Sequence, residues 1–89
     1  MRKTPPTREH LKRAAMVCLR NLRRATGIAQ EKLALQSGID RTYMSGLERG
    51  LYVPSIYMIY RLAPALGVSF VQFAQEFDQT LRRLRRNHD

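Results

Sequence analysis

Residues 30–50 read QEKLALQSGIDRTYMSGLERG, an order of residue types that belongs to two short helices joined by a glycine turn. Leu33 and Ala34 are apolar neighbours on one face, Gln36 and Ser37 form a short polar break, and Gly38 stands where the chain must reverse. A glycine there adopts positive φ without a Cβ clash. Asp40 falls where the second helix should begin, its carboxylate placed to accept a hydrogen bond from an unpaired amide of the first turn, as an N-cap does. Met44 and Leu47 lie three apart on one face of that helix, and Ile39 can join them against the same core. Arg41, Thr42, Ser45, Gly46 and Arg49 are left pointing outward. Ala34 is small enough to let the two helices cross at the usual spacing of about 8–10 Å.

Any one of these positions would suit an ordinary αα-hairpin in a small bundle; all of them in register give a helix-turn-helix. Gln30, Glu31, Leu33, Ala34, Ser37 and Gly38, then Leu47, Glu48, Arg49 and Gly50, resemble the Cro/C1-type (XRE) family. Pro54 and Ser55, and the run Leu66, Gly67, Val68, Ser69, extend the resemblance, which covers about Leu19 to Phe77. It implies an all-α, five-helix, lambda-repressor-like DNA-binding domain with the helix-turn-helix at helices 2 and 3. Short chains of the family include controllers of restriction-modification genes, prophage repressors and antitoxins. The string DRTYMSGLERG is most similar to the controller type.

The 89 residues suffice for one domain and not for two, and a chain of this size buries only somewhat over ~60% of its unfolded surface. A hydrophobic content of 44% argues against general disorder. No apolar run approaches the ~18 residues needed to span a bilayer, and MRKTPPTREH does not lead into a long apolar segment of the secretory kind. Cys18 is the single cysteine and cannot form an internal disulfide, while His10 and His88 offer no metal-ligand spacing with it. Its neighbours at helical spacing, Leu11, Ala15, Leu19 and Leu22, make it a buried core thiol rather than a nucleophile. The expected compartment is the cytoplasm, with no cofactor, metal or small-molecule ligand, no membrane, and no constellation of nucleophile, acid and base for an enzyme. Sixteen basic against 7 acidic residues give a formal charge of +9. That excess favours a polyanionic partner, because neutralising phosphates releases condensed counterions.

Arg2, Lys3, Pro5 and Pro6 disfavour helix and suggest a basic flexible arm over residues 1–6, ahead of a single domain over 7–89. Helix one is expected from a Thr7 cap to Ala25, closed by Gly27. Helix two should span roughly Gln30 to Gln36, and helix three Arg41 to Arg49. Helix four should follow Pro54 and Ser55 and run to about Leu66, kinking or ending early at Pro64, which lacks an amide and clashes with the carbonyl of Tyr60. Ser69 should cap a long fifth helix, Phe70 to about Arg86. In it Phe70, Phe73, Ala74, Phe77, Leu81 and Leu84 repeat at three and four, so the apolar seam outlasts a small core. A second copy of the chain is the simplest cover, which assigns a homodimer interface to Phe73, Phe77, Leu81 and Leu84. The alternative cover is helix one of the same chain. Arg82, Arg83, Arg85 and Arg86 late in this helix suit its dipole and stay outside the site.

An α-helix fits the major groove of double-stranded DNA, and the N-terminal residues of the inserted helix reach deepest. Arg41 and Thr42 are therefore the leading base readers: Arg41 can donate two hydrogen bonds to guanine, and Thr42 offers a hydroxyl or a methyl. Ser45 and Tyr43 rank second, Ser45 to base edges and Tyr43 to the DNA backbone. The family resemblance implies that Gln30, at the start of helix two, clamps a phosphate, with Arg49 acting likewise from the other end of helix three. It also implies a structural ion pair between Arg23 and Glu48. Serine or threonine is usual in the family where this chain has Ala29, so helix two lacks its side-chain cap. The sum is a homodimeric, sequence-specific transcriptional regulator, a restriction-modification controller or small prophage-type repressor. The alternative is a protein-interaction module, an antitoxin that masks a partner protein through the helix-five seam.

Overall fold

The computed structural model describes residues 4–88, which form α1 (Arg8–Thr26), α2 (Gln30–Ser37), α3 (Arg41–Glu48), α4 (Ile56–Ala65) and α5 (Phe70–His88), with no strand among them. Local chemistry fixes most helix starts. Thr7 Oγ1 accepts from the amide of His10 at 3.2 Å while the Thr7 amide donates to His10 Nδ1 at 3.0 Å. This is a capping box closed by histidine instead of glutamate or glutamine. Asp40 Oδ2 accepts from the amides of Thr42 and Tyr43 at 2.9 and 3.2 Å, and Ser55 Oγ from that of Met58 at 3.1 Å. Ser69 and Gln72 form a second reciprocal box at the head of α5. Ala29 leaves α2 without any side-chain cap, a deficit worth about 0.5–2 kcal/mol.

Helix ends differ from the sequence reading by a residue or so. α4 runs through Pro64 and stops at Ala65, so Pro64 sits in its last turn and offers no amide to the Tyr60 carbonyl. The Val68 amide then returns to the Ala63 carbonyl at 3.0 Å. Of the arm, Arg2 and Lys3 lie outside the described residues, and the Thr4 carbonyl accepts from Arg85 Nη2 at 2.9 Å.

All five helices supply the core: Cys18 and Leu19 from α1, Leu33 and Ala34 from α2, Met44 and Leu47 from α3, Leu62 from α4 and Phe73 from α5, with Ile39 and Leu66 beside them. Burial pushes the Cys18 thiol up to about 12, with the Glu76 carboxylate adding to the effect. A thiol so disfavoured as thiolate is packing material.

The seam of α5 is where the structure corrects the sequence reading. α1 and α5, each 19 residues long, make the most extensive helix pairing in the fold. Phe73 is only 1% exposed, Thr80 is fully buried and Phe77 packs against the core. The cover is thus α1 of the same chain, and Phe73 has no surface to offer a second copy. Leu81 and Leu84, further along α5, are half-buried. Spacing at three and four says which face of a helix is apolar; it does not say what lies against it.

Candidate nucleic-acid interface

The α2–α3 corner is closed by a Schellman turn. Gly38 adopts φ 67°, and the Ile39 amide reaches back to the Ala34 carbonyl at 2.9 Å. A second constraint comes from α4. Arg61 Nε donates to the Ser37 carbonyl at 2.9 Å, and its guanidinium occupies the place where a Cβ at position 38 would go. Arg61 Nη1 also donates to Tyr57 Oη at 2.7 Å, with the guanidinium carbon 5.4 Å from the centroid of that ring. Backbone conformation therefore favours glycine at 38, and a larger residue would also have to displace the Arg61 guanidinium.

At the capped N-terminal end of α3, Arg41 and Thr42 are both exposed, and Ser45 one turn later is half-buried. Arg41 is not idle: its Nη1 lies 3.0 Å from Glu31 Oε2 on α2. Tyr43 is half-buried against the core and stacks on Tyr52, ring centroids 5.0 Å apart and planes 15° from parallel. Gly46, expected to point outward, is buried instead. The Tyr52 ring lies across it so closely that a Cβ would overlap the ring. The correction has a simple cause: the 51–55 segment folds back over α3, and only a residue without a side chain lets the aromatic pair settle on the helix.

Behind α3, Arg23 grips Glu48 with two bonds, Nε to Oε2 at 2.6 Å and Nη2 to Oε1 at 3.0 Å, and donates through Nη1 to the Ile28 carbonyl at 3.0 Å. Gln30 Nε2 joins the same carboxylate at 3.2 Å. An amide nitrogen carries two hydrogens. One of Gln30's is held by Glu48, leaving the second for an acceptor outside the protein. Arg49, just past α3, is exposed. The structure thus brings Gln30, Arg23 and Glu48 into one network and displays Arg41 and Thr42 at the corner. Phe73, Phe77, Leu81 and Leu84 lie on a different helix, α5. Sequence reading missed Glu31, Tyr52, Tyr57 and Arg61. Glu31, Tyr52 and Arg61 act across helices or loops, where no spacing rule signals a contact, whereas Tyr57 meets Arg61 one turn along α4, a pairing that helical spacing does offer.

A short, glycine-turned pair of helices with the second one capped, its leading side chains exposed and its rear tied to α1, defines a helix-turn-helix protein. The chain matches the Helix-turn-helix family HTH_3 over residues 19–73, and it belongs to that XRE-type family, which is not a family of enzymes. It is 44% identical over 59 residues to the uncharacterized HTH-type transcriptional regulator y4dJ of Sinorhizobium fredii (strain NBRC 101917 / NGR234), covering 66% of this chain and 77% of that one. Among solved structures it resembles the clp gene regulator ClgR from Corynebacterium glutamicum, with a TM-score of 0.81 and 27% identity over 97% of this chain and 88% of that one. It also resembles the restriction-modification controller protein C.Esp1396I, determined as a tetramer on its natural 35-base-pair operator. There the TM-score is 0.72 and the identity 29%, over 85% of this chain and 97% of that one. Among the described residues no single helix is long and apolar enough to cross a membrane, and no group of three or more His, Cys, Asp or Glu side chains could hold a metal.

Proposed function

We propose that the chain is a sequence-specific, DNA-binding transcriptional regulator that acts as a homodimer in the cytoplasm, with α3 in the major groove. The observation that carries this reading is the exposure of Arg41 and Thr42 at the Asp40-capped end of α3. The Gln30 amide and Arg49 flank them, placed for phosphates. A bidentate arginine–guanine contact needs an exposed guanidinium, and Arg41, paired with Glu31 only through Nη1, keeps its other donors for one. The assembly of C.Esp1396I on its operator supports operator binding in an oligomeric state, and the controller type remains the nearest functional class for DRTYMSGLERG.

The proposed dimer contact lies on a different surface from the α5 seam. Phe77, Leu81 and Leu84 retain only part of their surface, whereas Ile56, Tyr57 and Tyr60 on α4 and Val71 on α5 are each about 60% exposed. Tyr60 stacks on Phe70 at 4.4 Å, so the two sets adjoin. An apolar aromatic surface of this kind is what a second copy would cover. With α1 lying over the α5 seam, the interaction-module reading loses the feature that favoured it.

Footprinting on the DNA flanking its own gene, with an operator refined by selection from random duplexes, tests the reading. Arg41→Ala should weaken operator binding by about 1–3 kcal/mol and relax one base position; unchanged specificity would reject α3 as the reading helix. Protected half-sites should lie about 10 bp apart for a two-fold dimer. Charging the patch with Ile56→Glu and Val71→Glu should shift sedimentation toward monomer, and a persistent dimer would place the interface elsewhere.

A further inference from the structure

The corner carries three carboxylates, and two have internal tasks. Asp40 is committed to the amides of Thr42 and Tyr43, and Glu48 is 4% exposed and bound by Arg23 and Gln30. Glu31 differs. Its side chain is 70% exposed, as is that of Arg41, and it reaches from α2 across to Arg41 on α3. A carboxylate in the first turn of α2 suits the helix dipole, the more so with Ala29 as a bare cap. The dipole does not explain why the carboxylate engages the leading base reader, nor why an acidic side chain stands exposed at the corner that would approach a polyanion.

From this geometry we infer that Glu31 is a specificity-determining positioning residue, acting through Arg41 to penalise DNA that lacks the correct base. The inference rests on the reading of α3 as the base-reading helix. An ion pair this exposed is weak, so Arg41 is steered and not locked. Glu31 occupies Nη1 and leaves the other guanidinium donors to address O6 and N7 of a guanine. At the correct base the pair with Glu31 persists while Arg41 reads. On any other sequence the partner left for Arg41 is a phosphate, which must replace one anion by another and strand Glu31 among negative charges. Glu31 therefore subtracts more from non-specific binding than from specific binding.

Glu31→Gln removes the charge and keeps the shape. The whole chain would be titrated by fluorescence anisotropy, at several salt concentrations, onto the operator selected by the unsubstituted protein and onto a scrambled duplex of equal length. The scrambled duplex should be bound about 3–10-fold more tightly by the variant, and the salt dependence there should steepen by about 0.9 in log–log slope, as one further neutralised phosphate requires. Operator affinity should change by less than about twofold, so that discrimination falls by about 3–10-fold in line with the altered phosphate term. Glu31→Asp, which keeps the charge, should retain most of the discrimination. In an Arg41→Ala background, Glu31→Gln should no longer alter it. Equal tightening on both duplexes, or an unchanged ratio, overturns the inference even if Arg41→Ala weakens operator binding as expected. If Arg41→Ala leaves operator binding and specificity intact, the reading of α3 fails first and the inference falls with it. A lower melting temperature for Glu31→Gln with discrimination intact would assign Glu31 to helix stability alone and overturn the inference too.

Discussion

Replacing Arg23 by alanine removes both guanidinium bonds to Glu48, at 2.6 and 3.0 Å, and leaves the carboxylate with the Gln30 amide at 3.2 Å. The Glu48 side chain is 3% exposed, so water cannot replace what is lost. Breaking a buried pair by deleting one partner costs about 3–5 kcal/mol. A domain of this length has only ~5–15 kcal/mol to lose. At ~4–8 °C per kcal/mol for a small domain, the melting temperature should fall by at least ~12 °C. The reciprocal change, Glu48→Ala, is milder. Arg23 is 19% exposed, keeps the Ile28 carbonyl at 3.0 Å, and can turn its charge toward solvent. A cost of about 2–3 kcal/mol is expected there, near that of hydrogen bonds to a charged group. Arg23→Met combined with Glu48→Leu should cost less than Arg23→Ala alone, because no charge stays buried. Thermal and urea unfolding of the four proteins decide the matter. A drop below ~5 °C for Arg23→Ala, or a combined variant no more stable than Arg23→Ala, would show that the pair is not the tie between α1 and α3 that its geometry indicates.

Thr80 Oγ1 is fully buried and finds no hydrogen-bond partner among the described residues, so the isosteric Thr80→Val should stabilise the α1–α5 contact by about 1 kcal/mol in thermal unfolding; a loss of stability would reveal a partner for the hydroxyl. Gly46→Ala should displace the Tyr52 ring. The gain in helix propensity of about 1 kcal/mol and the lost stacking of about 0.5–1.5 kcal/mol then largely offset, leaving stability within about 1 kcal/mol while the NMR ring-current shifts of Tyr43 collapse. The Cys18 thiol is raised from 9.0 to about 12 in the folded chain. Its contribution is complete below the unfolded value and is lost as pH rises through the folded one. The stability gap between the natural chain and Cys18→Ala should therefore narrow by about 2 kcal/mol between about pH 8 and about pH 10.5; a constant gap would mean the thiol is not held in its neutral form.

What the sequence showed directly was local. Thr7, Asp40, Ser55 and Ser69 announce helix starts because a cap is made by residues two or three apart, and Gly38 announces the turn because positive φ is written into one residue. The Arg23–Glu48 pair came through family resemblance, since residues 25 apart carry no spacing signal of their own. Three features of the site escaped, and a fourth contact, α1 against the α5 seam, was only the second reading. Glu31 meets Arg41, Tyr52 lies across Gly46, and Arg61 braces Ser37 and Gly38. Each is a choice of neighbour, and periodicity encodes only the face that needs one. The miss at Gly46 is instructive. A glycine on a helix was read as an absent side chain, although it marked a close approach by Tyr52.

The brace at Ser37 and Gly38 bears on how far the two-helix unit can be treated as a portable part. Arg61 stands 24 residues beyond Ser37, well outside the stretch from Gln30 to Gly50. Grafting that stretch alone onto another scaffold would carry the side chains proposed to read DNA and leave behind the Arg61 contact that fastens the turn. Retargeting is better attempted in place. With the corner anchored from α4, the exposed Arg41 and Thr42 are the positions to exchange if α3 reads DNA as proposed, since the core does not rest on them.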